Sequence, residues 1–126
     1  MLADHPISPV LLAIDLEVAK RFYTEKIGLK LLRENPEVLT FQCGGASQLR
    51  ISKSTIGTKD EQTQAVFVVK DLKTEVAELR QRGVRIEDYD LPGVKTDDGI
   101  ADMGFAWAAW FIDPGNNAVG IVQPKA

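Results

Sequence analysis

Val10-Leu11-Leu12-Ala13-Ile14-Asp15-Leu16 and Val66-Phe67-Val68-Val69-Lys70-Asp71-Leu72 are two versions of one phrase. Each is an apolar run, then an acid and a leucine, followed by a helical pattern that closes on a glycine, Gly28 in one and Gly83 in the other. Each half then ends in a strand, a glycine turn and a strand. Phe41-Gln42-Cys43-Gly44-Gly45 carries the first turn and Phe111-Ile112-Asp113-Pro114-Gly115 the second. Such repetition marks a duplicated supersecondary unit, whose equivalent positions gather about a pseudo-twofold axis. The order is βαβββ twice.

Working outward, Val10 to Ile14 is continuous enough to predict a strand buried on both faces. Asp15 and Asp71 sit where a carboxylate caps a helix by accepting backbone hydrogen bonds. Ala19, Phe22, Tyr23 and Ile27 form one apolar stripe, and Leu72, Val76 and Leu79 the other. Strands are expected at 29–32, 38–43, 48–52, 84–87, 105–112 and 117–123. The polar stretch from Ser54 to Thr63, with the charged patch Lys59-Asp60-Glu61, reads as a linker. The expected organisation is one domain over 1–126: module one at about 7–53, a linker at about 54–63 and module two at about 64–124. Residues 88–104, rich in aspartate and glycine, break the repeat and read as a loop near the site.

The 126 residues, 44% hydrophobic and 26% charged, suit one packed domain. A net charge of −3 gives no basic surface for nucleic acid. No apolar run reaches the ~20 residues that span a bilayer. Cys43 is the only cysteine, which fits a reducing compartment. No signal peptide is visible, so a cytoplasmic protein with no nucleic-acid or membrane partner is expected.

Asp15-Leu16, Phe22-Tyr23 and Ile27-Gly28-Leu29 resemble the "DLxxxxxFYxxxLGF" signature of the vicinal-oxygen-chelate superfamily, which includes glyoxalase I, extradiol dioxygenases and bleomycin-resistance proteins. Asp113-Pro114-Gly115-Asn116-Asn117 resembles its "DPxGN" turn. The resemblance implies an α+β fold in which two tandem βαβββ modules curl a mixed sheet into a cup, and it implies homodimers. In the metalloenzymes of the superfamily, ligands lie on the first and last strands of each module. Carried over, those positions are Ser8, Arg50, Gln64 and Gly120.

Serine and glutamine are weak neutral ligands, glycine has no side chain, and a guanidinium repels a cation. No metal and no cofactor are therefore expected. His5, the one histidine, lies three residues before the ligand position in a terminal segment. Arg50 is either a solvated arginine on an outer strand face or, facing the cup, a clamp for an anionic or carbonyl ligand. In Phe105 to Phe111, alternation places Trp107 on one face and Trp110 on the other. Their rings pack a core or form a platform for a planar ligand, and Trp107 is taken as a cup residue.

The expected function is a metal-independent small-molecule binding protein similar to the bleomycin-resistance branch. Its expected ligand-binding residues are Ser8, Arg50, Gln64, Trp107 and Gly120. The alternatives are a glyoxalase- or dioxygenase-like enzyme acting on a carbonyl or aromatic compound, and a structural or regulatory dimer. No catalytic residue stands out, because no histidine or carboxylate pair offers a general base.

Overall fold

The computed structural model describes residues 1–59 and 61–126; Asp60, in the charged patch of the linker, lies outside the described residues. The elements are β1 (Val10–Ala13), α1 (Leu16–Arg21), β2 (Lys30–Glu34), β3 (Val38–Gln42), β4 (Gln48–Lys53), β5 (Thr63–Val68), α2 (Leu72–Gln81), β6 (Asp90–Leu91), β7 (Val94–Asp97), β8 (Ile100–Asp102), β9 (Ala106–Ile112) and β10 (Ala118–Pro124). One sheet has the order β1-β4-β3-β2 and the other β5-β10-β9-β8-β7-β6. In each, the module's first strand runs parallel to its last, and the remaining pairs are antiparallel. This is the expected α+β fold, with a second module that carries extra strands.

Both helices begin as the aspartates dictate. Asp15 accepts from the amides of Glu17 and Val18, and Asp71 from that of Thr74. Beyond Arg21 the first helix widens into one π turn, Phe22–Lys26, and stops at Gly28, whose φ of +83° suits glycine.

A single buried cluster draws on both modules. Leu11, Tyr23, Phe41 and Ile51 meet Leu72, Val76, Phe111 and Val119 there. The rings of Phe22 and Phe111 lie 5.9 Å apart across the module boundary. At ~25 cal/mol per Å² of apolar area, this shared core is what holds the halves together.

Three expectations change. The strand at Val10 to Ile14 is buried on one face only: Leu11 and Ala13 are buried, whereas Val10, Leu12 and Ile14 are exposed, Ile14 at 59%. Residues 84–87 are not a strand. Val84 and Ile86 are buried, and Glu87 N donates to Trp110 O at 2.9 Å. The 88–104 segment is not a plain loop but the antiparallel strands β6, β7 and β8 with their turns. Asp88 anchors it, accepting from Thr96 Oγ1 at 3.0 Å and from Gly99 N at 2.9 Å. No helix among the described residues is long and apolar enough to cross a membrane.

Candidate functional site

The turn after β9 explains why its residue types are needed. Asp113 Oδ1 accepts from the amides of Gly115 and Asn117 at 2.9 and 2.8 Å. A Cβ at Gly115 would collide with the carbonyl oxygen of Leu12, so only glycine lets the turn approach β1. Asn117 Nδ2 donates to that same carbonyl at 2.8 Å. Asn116, with φ of +66°, donates from Nδ2 to Thr58 O at 3.1 Å. The turn thereby pins the linker, and with it residues 61–63, beside the sheet.

Next to it, on the sheet face away from the helices, is an open cavity of about 530 Å³. Glu61, Gln62, Thr63, Tyr89, Leu91, Val94, Trp110, Ile112, Asn116 and Ala118 line it. Trp110 and Tyr89 meet edge to face, with centroids 5.5 Å apart and an interplanar angle of 85°. Trp110 Nε1 donates to Thr63 Oγ1 at 3.2 Å. Burial pushes the Tyr89 phenol pKa up, and the carboxylates of Glu87 and Glu61 push it further.

Gly120 is paired across the strands with Trp110 of this wall. A Cβ there would stand 3.3 Å from Trp110 Nε1, 3.3 Å from Val66 Cγ2 and 3.4 Å from Thr63 Cγ2. The glycine is the space in which the indole lies. The position that the resemblance assigns to a metal-binding glutamate is thus taken up by Trp110.

Ser8 and Arg50 lie elsewhere. Arg50 is exposed between buried Leu49 and Ile51, so it projects from the helix-free face of module one. Ser8 is beside it, donating to Gln48 O at 2.7 Å, and neither residue lines the cavity. Gln64 sits at a β-bulge: Ala118 pairs with Thr63 and Val119 with Ala65, leaving Gln64 opposite nothing. Its side chain donates to Gln62 O at 2.9 Å. Trp107 is on the opposite face from Trp110. It lines a separate groove of about 600 Å³ with Leu72, Val76 and Ile100, and Lys125 Nζ stands 4.2 Å from its ring centroid. Of the five expected residues, Gly120 and Gln64 are at or beside the cavity, and the other three are not.

Thr63, Tyr89 and Glu61 are outside the expected set, and of the two tryptophans it is Trp110, not Trp107, that lines the cavity. Among the described residues, no three His, Cys, Asp or Glu side chains cluster closely enough to hold a metal. The donor set Ser8, Arg50, Gln64 and Gly120 does not fit the metal of the superfamily's enzymes. It offers two weak neutral oxygens, a cation and no side chain.

The model of the Glyoxalase/Bleomycin resistance protein/Dioxygenase superfamily matches residues 5–121. The chain belongs to that superfamily. No curated protein matches it in sequence. Among solved structures it is similar to a glyoxalase/bleomycin resistance protein/dioxygenase from Alicyclobacillus acidocaldarius, with a TM-score of 0.72 and 23% identity, covering 98% of this chain and 93% of that one. It is similar to TnmS3, an antibiotic binding protein from Streptomyces sp. CB03234, with a TM-score of 0.65 and 22% identity, covering 96% of each chain. It is also similar to a lactoylglutathione lyase from Agrobacterium tumefaciens, with a TM-score of 0.65 and 21% identity, covering 94% and 92%. At these identities the likeness establishes the fold. Members of this superfamily both bind and catalyse, so the function must be argued from the cavity.

Proposed function

We propose that this superfamily member is a metal-independent small-molecule binding protein that holds a planar ligand in the cup of module two. The observation that carries the reading is the seat of Trp110 over Gly120. Where a metalloenzyme needs a carboxylate, this chain has an indole tied to Thr63 and in edge-to-face contact with Tyr89 in the cavity wall. A cavity of a few hundred cubic ångströms with apolar and aromatic walls and a few polar groups is the usual form of a small-molecule site. The antibiotic binding protein of the same fold is consistent with retention of a ligand without turnover.

The protein acts as a homodimer in the cytoplasm. Val10, Leu12 and Ile14 in module one and Val66 and Val68 in module two are exposed on helix-free sheet faces, Val68 at 71%, and exposed apolar faces of this kind call for a cover. Cys43, the only cysteine, is free, and burial raises its pKa, as suits an unreactive thiol in a reducing compartment.

The test uses a Trp107→Phe background, which leaves Trp110 as the only tryptophan. Neutral planar aromatics such as naphthalene derivatives should quench or shift its emission saturably, with no metal added. Absence of saturable change across such a panel would overturn the reading.

A further inference from the structure

The charge of the cavity, which Arg50 does not line, points to a ligand of opposite sign from the anion that Arg50 would hold. Among the described lining residues the one formal charge is Glu61. Among the described residues, neither Arg50 nor any lysine lines the wall. A second carboxylate, Glu87, two residues before Tyr89, adds to the negative field at the phenol, and its partner Arg85 is a highly exposed side chain whose Nε is 3.3 Å from Glu87 Oε2. Trp110 and Tyr89, set at right angles, offer π faces and edges to a flat ring. Electron-rich ring faces beside a carboxylate attract cations and disfavour anions.

We infer that the cavity selects planar aromatic compounds bearing a protonated amine, with the ring held by Trp110 and Tyr89 and the ammonium directed to Glu61. The selection rests on the binding reading proposed above and adds a ligand class to it. An ammonium at the rim gains the carboxylate and the ring quadrupole together. A carboxylate in its place meets Glu61 with like charge and would be repelled.

Three probes that share one ring separate the possibilities: 1-naphthylmethylamine, 1-naphthylmethanol and 1-naphthoate, titrated at pH 7 and low salt with Trp110 fluorescence as the readout. The ammonium should bind about fivefold to tenfold more tightly than the alcohol, the range of a partly desolvated cation–π contact. Naphthoate should bind least. In Glu61→Gln the ratio of ammonium to alcohol affinity should fall to within about twofold of unity, well under a tenfold step of 1.4 kcal/mol. Equal binding of ammonium and alcohol, an unchanged preference in Glu61→Gln, or tightest binding of naphthoate would overturn the inference and leave the cup intact as a site. Failure of all three probes to bind would overturn the inference together with the binding reading beneath it.

Discussion

Tyr23 Oη donates to Asp113 Oδ2 at 2.6 Å, joining the helix of module one to the hairpin turn of module two across 90 residues of sequence. Both groups are buried, and Asn117 Nδ2 reaches the same carboxylate at 2.9 Å. Tyr23→Phe removes one donor from a buried acceptor without opening a cavity. It should cost about 1–3 kcal/mol, the range for leaving a buried polar group short of a partner. Urea unfolding would measure this, and an unchanged midpoint would refute it.

The same pair makes stability depend on alkaline pH. Burial, and then the nearby Asp113 carboxylate, hold the Tyr23 phenol pKa far above the ordinary value of about 10. A raised pKa means that the folded state keeps a proton that the unfolded chain releases. Its contribution is complete below pH 10 and falls as pH rises beyond it. Wild type should lose stability above pH 10 more steeply than Tyr23→Phe, as thermal melts between pH 8 and 11 would show.

Trp110→Ala should abolish saturable binding of naphthalene probes, because it removes the ring that meets Tyr89 and the donor to Thr63. Trp107→Phe should leave that affinity within about twofold, since Trp107 lies across the sheet in another groove, too far to couple strongly. Equilibrium titration of both variants checks the contrast.

Assembly should respond to single charges on the exposed faces. Val68→Lys places an ammonium in the apolar stripe of β5 and should shift the protein toward a 13.9 kDa monomer at micromolar concentration. Sedimentation velocity distinguishes the species, and a wild type that is already monomeric would refute the dimer.

Metal content is a further check. Purified protein should carry no stoichiometric zinc, iron, manganese or nickel by elemental analysis, and chelation should leave probe binding unchanged. One tightly held transition metal per chain would refute the metal-independent reading.

The fold was legible because its determinants are local and repeated. Asp15 and Asp71 announce their helices, Gly28 ends one, and Gly115 permits the turn that touches β1. The site was less legible, for two physical reasons. The bulge at Gln64 reverses the side-chain alternation of β5, so Thr63 shares a face with Val66 while strict counting favours Gln64. The orientation of β9 was available from the repeat: Phe41 and Phe111 each lie two residues before a turn, and both are buried in the core. That equivalence sends Trp107 toward the helix layer and Trp110 to the cavity. Tyr89 had no comparable signal, because it enters through strands that have no counterpart in module one.

The contact between Gly120 and Trp110 also governs how the chain can be re-engineered. A glutamate at 120 would start 3.3 Å from the indole Nε1 and 3.3 Å from Val66 Cγ2, so the indole must give way before the longer side chain can be seated. Grafting ligands one at a time would pass through a variant with an overpacked floor, a displaced indole and an incomplete metal site. Conversion must begin at Trp110, with a small residue, before any ligand is added. Gly120 acts here as an interlock: it sets the order in which changes can be made.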